Sequence, residues 1–350
     1  MVSETNQAAG SSSSHLTPGL AVPAIQTVGE AQTSTSQAYG LSFIRKCYEN
    51  RGIPANTIDI MCASWRAGSA KQYGVYLKKW IHFCSQREDD PFSIDQMRLL
   101  RFLTELYEKG LGYSGLNTAR SALSAAFSYE EQTIGSLHMI KRFMKGVFET
   151  RPPSPRYDFI WDVNIVLDYL KNFVSQDIPL SYLTFKLVML LALVTARRAQ
   201  TLHLLNIEHF IFIDEGILIP IPYMLKQSSP RKYNFSLRLS SNPENSDICV
   251  VLCLKEYLKR TENLRKDEKQ LFISFNKPHK KVSRSTISRW IKLVLREAGI
   301  DVDIFKAHST RSAACSNAKK NGVTLEHIMK TAGWANAETF KKFYDKRVYN

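Results

Sequence analysis

A proline-rich segment near the middle of the chain predicts a division into two folding units. Residues 151–156 read Arg-Pro-Pro-Ser-Pro-Arg. Proline stops a helix and favours an extended backbone, so this stretch predicts a semi-stiff connection. A chain of 350 residues is long enough for a hydrophobic core on each side of it. We predict a linker at residues 151–162, between domains at residues 41–150 and 163–350.

The positive charge lies entirely beyond the first forty residues. The net charge is +15, yet residues 1–40 contain no Lys or Arg and two acids, Glu4 and Glu30. A body with 47 basic and 30 acidic residues predicts a polyanionic partner, with nucleic acid ahead of an anionic membrane surface. Residues 1–40 are rich in Ser, Thr, Ala, Gly and Gln, so we predict a disordered tail that cannot offset its ordering entropy.

The six cysteines indicate free thiols rather than a metal site. They form neither a CxxC pair nor a Cys/His cluster with zinc spacing. Buried free thiols are typical of a reducing compartment. No N-terminal stretch resembles a signal peptide, and the longest apolar run, Leu187–Ala196, is too short to span a bilayer. We therefore expect an intracellular protein with no membrane partner.

Helical spacing of apolar residues runs through residues 41–150. One helix is predicted around Trp80, and Ser93 with Gln96 reads as a capping box that opens another, which Gly110 ends. Cations decorate these helices and form either a solvated face or a surface that holds DNA through its phosphates. On the second interpretation, the selected DNA contacts are Lys71, Lys78, Arg120, Lys141 and Arg142.

The second domain is predicted to be built around a buried helix. Tyr182–Val194 is apolar on nearly all sides, as expected of a central helix, and Arg197 and Arg198 follow it. Two arginines at the end of a buried helix need a partner or an anion, because an isolated buried charge is costly.

The strand signals are confined to this second domain. Predicted strands at residues 216–223 and 233–239 flank a polar turn, and Pro220 and Pro222 indicate an edge strand. The turn carries Lys226, Arg231 and Lys232, of which Lys226 directly follows the first strand. The predicted fold class is α+β: mainly α with a small antiparallel β-sheet, in an all-helical N-terminal domain and a mixed second domain.

The end of the chain carries four groups suited to phosphodiester chemistry. His308 and Arg311 are three residues apart, so one helical turn places both on one face. Gly333-Trp334 and then Tyr344 follow. An arginine fork holds phosphate oxygens, an indole N–H donates to them, and a phenol can attack phosphorus. Taken singly, each also has an ordinary interpretation, as a structural histidine, a surface cation, a core indole and a surface aromatic.

In this order the residues resemble the tyrosine recombinase, or phage integrase, family. The resemblance extends over residues 41–350 and looks closest to the branch encoded by eukaryotic tyrosine-recombinase transposable elements. T-A-R-R matches the family's T-G-x-R, which places Arg198 rather than Arg197 at the catalytic position. The matching positions are Arg198, Lys226, His308, Arg311, Trp334 and Tyr344.

The resemblance implies a SAM-like helical core-binding domain at residues 41–150 and a catalytic domain of the DNA breaking–rejoining type at residues 163–350. The two would clamp double-stranded DNA and self-assemble on it into a dimer or tetramer. The protein would be located inside the cell with DNA, and in the nucleus if the source is eukaryotic. Arg231 and Lys232 would add DNA contacts, and the implied reaction is site-specific recombination by a mobile-element enzyme.

The implied mechanism uses no metal, ATP or other cofactor, and the sequence has no Walker loop and no acidic metal cluster. Tyr344 would be the nucleophile that forms a 3′-phosphotyrosine, with Arg198 and Arg311 on the phosphate oxygens. Lys226 would protonate the departing 5′ oxygen, and His308 would orient the phenol or accept its proton.

A few positions differ from the commonest family pattern. Thr201 stands where the family has an acid that supports the first arginine, and Ala196 stands where it has glycine. Trp334 stands where the family has His or Trp, and an indole N–H can only donate. Six residues follow Tyr344, fewer than the C-terminal helix by which many relatives dock on the next protomer.

Other functions fit parts of this pattern. A host-adopted, catalytically silent DNA-binding protein would bind DNA without a covalent adduct, and the complete set of six site residues argues against it. A type IB topoisomerase uses the same chemistry and would relax supercoiled DNA without sequence preference; the helical N-terminal half argues against it. A non-enzymatic RNA-binding protein has the least support, because no RNA-binding aromatic signature is present.

Overall fold

The structure is a computed structural model that describes residues 31–129, 132–153, 157–174, 177–225, 228, 235–334 and 336–349. The chain divides into two compact units, residues 1–154 and 155–350. The division falls within the proline-rich segment, where a helix cannot continue. Among the described residues, no helix is both long enough and apolar enough to cross a membrane.

The first unit consists of helices and one short antiparallel hairpin. Its elements are α1 (Ala31–Glu49), α2 (Ala55–Ala63), α3 (Ala67–Ser85), α4 (Gln96–Glu108), α5 (Tyr113–Ala126), β1 (Ser128–Tyr129), β2 (Gln132–Thr133) and α6 (His138–Thr150). Helix α1 begins at Ala31, ten residues before the predicted start of the domain at residue 41, and the predicted domain bounds stay a prediction. Residues 1–30 lie outside the described part of the chain.

An aromatic core on α3 holds the first unit together. Trp80 is fully buried, its ring lies 5.4 Å from Phe102 and 6.3 Å from Phe127, and its indole N–H donates to the backbone oxygen of Pro91 at 2.9 Å. Helix α1 crosses α3 closely, since a Cβ added at Gly40 would lie 2.6 Å from the Cα of the facing glycine on α3. Two glycines at the crossing therefore permit the backbone contact.

The cap of α4 differs from the predicted one. The helix begins at Gln96 and its N-cap is Asp95, whose carboxylate accepts the backbone N–H of Arg98 at 2.8 Å. The predicted capping box starting at Ser93 is therefore wrong. Asp is as good an N-cap as Ser, and here it lies two residues nearer to the first apolar residue of the helix.

The second unit mixes helices with two small sheets. Its elements are β3 (Phe159–Trp161), α7 (Val163–Lys171), α8 (Leu180–Thr195), α9 (Ala199–His203), β4 (Ile211–Ile213), β5 (Gly216–Ile221), β6 (Phe235–Ser240), α10 (Val250–Thr261), α11 (Arg284–Glu297), α12 (Ser309–Lys320), α13 (Leu325–Ala332), α14 (Ala337–Phe343) and β7 (Arg347–Tyr349). Leu187 to Leu193 of α8 are all buried, so this helix is the centre of the core.

The three-stranded sheet has the order β4-β5-β6, with antiparallel neighbours. The prediction that β5 is an edge strand is therefore wrong, because β4 pairs with it. That pairing covers only Gly216 to Leu218, whereas Pro220 lies beyond it and faces Ser236 of β6. The missing N–H of Pro220 thus costs no hydrogen bond to β4, which is why proline is tolerated in a central strand here.

A second sheet joins the beginning and the end of this unit. Strand β3 pairs in parallel with β7, with Ile160 opposite Val348. Over the described residues the fold is mainly helical with small sheets, as predicted, but the first unit is not all-helical because it contains the β1–β2 hairpin, and the β3–β7 pair is parallel rather than antiparallel.

Candidate active site

The corner between α8 and α9 carries the first arginines of the site. Ala196 ends α8 in the left-handed region, with φ 47° and ψ 26°, and Arg198 is the N-cap residue of α9. The backbone oxygen of Ala196 accepts a hydrogen bond from Arg311 Nη1 at 2.8 Å. A left-handed alanine turns the chain sharply at this point, so α8 ends and α9 begins beside Arg311 of α12.

Arg311 lies at the bottom of the site. Its side chain is 1% exposed, and its Nε and Nη2 have no hydrogen-bond partner among the described residues. The guanidinium lies 4.3 Å from the centre of the Trp334 ring and 5.4 Å from that of Tyr344. Burial, and after it the charge of Arg198, lowers the pKa of Arg311 to about 10. The residue stays cationic at neutral pH, and its free donors suit a phosphate.

Trp334 forms the wall beside Arg311. Gly333 ends α13 with φ 75°, a conformation that favours glycine, and the chain then turns into Trp334. The indole is 6% exposed, packs 5.4 Å from the ring of Phe340, and its Nε1 has no partner among the described residues. Arg311 and Trp334 thus offer groups that only donate hydrogen bonds, and such groups suit anionic oxygens.

Tyr344 lies directly over these two residues. It follows the last residue of α14, and its half-buried ring is 4.4 Å from the Trp334 ring. Its hydroxyl oxygen is 3.4 Å from Nε2 of His308, which precedes the first turn of α12 and is exposed. Which of the two atoms donates depends on the histidine tautomer. A small apolar cluster that includes Cys315 and Phe340 supports this arrangement from below.

Arg197 is a second buried cation of the site, although the T-A-R-R motif places Arg198 at the catalytic position. Its side chain is 5% exposed, Nη2 donates to the backbone oxygen of Lys330 at 3.3 Å, and Nε and Nη1 have no partner among the described residues. Burial lowers the pKa of Arg197 to about 10, with a contribution from the charge of Arg198. Buried arginine at both Arg197 and Arg311, with Arg198 acting on both, makes this corner strongly anion-seeking.

Several predicted residues are placed differently or lie outside the described chain. Thr201, which stands for the family's acid, is buried on α9. Lys226, Arg231 and Lys232 lie between β5 and β6 in the sequence, and the structure does not describe these three residues. Their assignment therefore stays a prediction.

The predicted DNA contacts of the first unit occupy three helices. Lys71 and Lys78 on α3 and Lys141 and Arg142 on α6 are exposed, whereas Arg120 on α5 is half-buried. Two of the five, Arg120 and Lys141, line one open cavity of about 520 Å³. These contacts stay predictions.

The family model described as "Phage integrase family" matches residues 165–349, more than half of the chain. The chain therefore belongs to the phage integrase family, as its motifs predict. No curated protein sequence matches it.

Solved structures of tyrosine recombinases share the fold. The XerH site-specific recombinase bound to palindromic difH substrate, in a post-cleavage complex, is 15% identical, with 89% of this chain and 92% of that chain covered and a TM-score of 0.58. The Tn1549 transposon integrase in complex with circular intermediate DNA is 14% identical, with 89% and 96% covered and a TM-score of 0.53. At such identities the likeness is one of fold.

Proposed function

We propose that the chain is a site-specific DNA recombinase that cuts and rejoins DNA through a 3′-phosphotyrosine on Tyr344. One observation carries the proposal: the phenol oxygen lies 3.4 Å from His308 Nε2, directly above Arg311 and Trp334, and Nε and Nη2 of the arginine and Nε1 of the indole have no partner among the described residues. A nucleophile, a proton acceptor and anion-binding donors thus meet in one place. Membership of the phage integrase family supports the same activity.

In the proposed step, the Tyr344 oxygen attacks phosphorus, and the bond from phosphorus to the 5′ oxygen breaks. The phenol proton passes to His308 as the new bond forms, because a phenol is a poor nucleophile while it is protonated. The 5′ oxygen leaves with a proton, which we assign to Lys226. The reverse attack by a 5′ hydroxyl rejoins the strand, since the phosphotyrosine keeps the energy of the broken phosphodiester.

The cations serve the charge that develops on the non-bridging oxygens. Arg311 offers two N–H groups without described partners and Trp334 offers one, while Arg198 adds its charge to the same corner. Preorganised donors of this kind stabilise the transition state more than the ground state. The free donors of Arg311 are shielded from solvent, so their interaction with an anionic oxygen is stronger than it would be in water.

The substrate we propose is double-stranded DNA, held by the catalytic unit and by a core-binding domain formed by the first unit. The exposed cations on α3 and α6 are suited to phosphate contacts. The similar solved structures are DNA complexes of a site-specific recombinase and of a transposon integrase. On this basis we propose assembly of several copies on DNA and an origin in a mobile element.

The test uses nicked duplexes tiled across the DNA that flanks the gene. A nick on the 3′ side of the scissile phosphate leaves only a short fragment with a free 5′ hydroxyl after cleavage. This fragment diffuses away and traps the covalent adduct, which survives denaturing electrophoresis. Wild type is expected to form the adduct and Tyr344→Phe to form none while still binding DNA. Tyr349→Phe is the matched control, since Tyr349 is exposed on β7, and should form the adduct normally.

Other outcomes identify the alternatives. DNA binding without an adduct on any nicked duplex would indicate a catalytically silent DNA-binding protein. Relaxation of supercoiled DNA without sequence preference would indicate a topoisomerase. An undiminished adduct in Tyr344→Phe would overturn the choice of nucleophile.

A further inference from the structure

The segment that follows Tyr344 is tied to the unit that carries the rest of the site. Strand β7 starts three residues after the tyrosine and pairs with β3, where the rings of Phe159 and Tyr349 lie 5.3 Å apart. Strand β3 is itself held to α12, because the indole N–H of Trp161 donates to Ser309 Oγ at 2.9 Å in a buried contact. Strand β7 is thus anchored, through β3, to the framework that carries α12.

A single hydroxyl on α12 holds the backbone around the nucleophile. Ser316 is buried, and its Oγ donates to the backbone oxygen of Tyr344 at 2.7 Å and accepts the backbone N–H of Lys346 at 3.1 Å. One serine hydroxyl has one donor and two acceptor sites, so both bonds can form at once. One turn further along α12, Lys319 makes an ion pair with Asp345.

The position of Ser316 on α12 gives these bonds a consequence for the reaction. The same helix carries Arg311, which faces the proposed phosphate position, and it begins directly after His308. A rigid helix therefore holds the anion-binding guanidinium, the histidine and the backbone of the tyrosine together. The contact between Tyr344 and His308 depends on where α12 fixes that backbone.

We propose that Ser316 is a positioning residue for the nucleophile: its hydroxyl fixes the backbone on both sides of Asp345 and so sets the Tyr344 phenol against His308 and Arg311 of the same chain. This inference rests on the proposed recombinase function. Ser316 touches no reacting atom, and it acts through the tyrosine alone. Without the hydroxyl, a part-buried carbonyl and a part-buried N–H lose this partner, and the segment must shift to pair both groups with water.

The size of the expected effect follows from the geometry of attack. Displacement of a reacting group by about 1 Å can cost about 100-fold in rate. A serine that only stabilises the fold would instead lower stability and leave the rate of the folded enzyme unchanged. The two roles are separated by measuring the cleavage rate at saturating DNA together with the protection of the C-terminal segment.

The experiment compares full-length wild type with Ser316→Ala, Ser316→Cys and Ser316→Thr. Thr184→Val is the matched control, since it removes another buried hydroxyl of the same unit, one that bonds to Leu180 of its own helix and to Tyr257 of α10 rather than to the segment after Tyr344. Hydrogen exchange of the free protein, read at the Lys346 amide, reports the bond to Ser316 directly. Single-turnover cleavage of a nicked duplex reports the reaction, and DNA affinity is measured at the same salt concentration.

We expect the Lys346 amide to exchange at least about tenfold faster in Ser316→Ala, and cleavage at saturating DNA to fall by about 100-fold with unchanged affinity. Thr keeps the hydroxyl and should restore both, whereas Cys, a weak donor and acceptor, should lie between. Thr184→Val should leave both at the wild-type level.

Two results would overturn the proposal. The first is wild-type cleavage by Ser316→Ala despite faster exchange, because the bond would then hold the segment without positioning the tyrosine. The second is unchanged exchange in Ser316→Ala. If wild type itself forms no adduct, the proposed recombinase function fails, while the exchange measurement still decides whether Ser316 holds the tyrosine backbone.

Discussion

Arg311 Nη1 donates a hydrogen bond to the backbone oxygen of Ala196 at 2.8 Å, across 115 positions of sequence. The bond links α12 to the corner at which α8 ends and Arg198 begins α9. Ala196 holds this corner in the left-handed region, which costs an L residue about 1–2 kcal/mol. Strain at the corner and orientation of the buried guanidinium are therefore coupled through one carbonyl group.

Ala196→Gly is expected to stabilise the protein. Glycine adopts the left-handed conformation without strain and keeps the carbonyl that orients Arg311, so we expect a gain of about 1 kcal/mol in the free energy of unfolding, with adduct formation retained. Urea denaturation measures the gain. Ala318→Gly, in the last turn of α12, is the control and should lose up to about 1 kcal/mol, because its backbone is helical. Equal losses in both variants would contradict the strain at Ala196.

Much of the fold follows from local sequence signals. The apolar run of α8 and the end of α4 at Gly110 are visible in the sequence because helix burial and termination act over a few residues. The sheet was assigned less well. Strand β4 has only three residues, all exposed, so its pairing with β5 leaves no alternating pattern to detect.

The candidate site, like the fold, was predictable from the sequence only in part. The order of motifs predicts which side chains matter, because each must supply a particular donor, charge or hydroxyl. The pairing of β3 with β7 joins two three-residue strands from opposite ends of the unit, and Ser316 acts only through that long-range arrangement. A serine in a helix carries no sign of such a role. The burial of Arg197 is equally invisible, since it depends on α13 packing over the corner.

Arg311→Lys is expected to lose cleavage far more than DNA binding. Lysine presents one point charge in place of a planar fork, so it cannot both keep the bond to Ala196 and hold two phosphate oxygens. Loss of a preorganised donor costs about 100-fold or more in single-turnover cleavage. Arg289→Lys, at an exposed position on α11, is the control and should change neither quantity. Equal losses of binding and cleavage would mean that Arg311 only positions the DNA.

Cys315 is expected to resist alkylation in the native protein. Burial raises the pKa of the Cys315 thiol to about 12, so at pH 8 the reactive thiolate is scarce. Cys62 is half-buried on α2, and burial raises the pKa of that thiol as well, but its sulfur is more accessible. We expect N-ethylmaleimide to label Cys62 at least about tenfold faster, as measured by mass spectrometry over time. Equal labelling rates for the two cysteines at pH 8 would contradict the burial of Cys315.

The anchoring of the C-terminal segment predicts that each tyrosine attacks the phosphate bound by its own chain. Tyr344 is held by Ser316 and, through β7, by β3 of the same unit, and its ring already lies 5.4 Å from the guanidinium of Arg311. A mixture of Arg311→Ala and Tyr344→Phe chains, tagged to different lengths, should therefore form no adduct on a nicked duplex. Wild type mixed with Tyr344→Phe is the control and should form adduct through the wild-type chain alone. An adduct on the Arg311→Ala chain in the first mixture would show that the tyrosine crosses to a neighbouring copy, and that the contacts of β7 are exchanged when copies assemble on DNA.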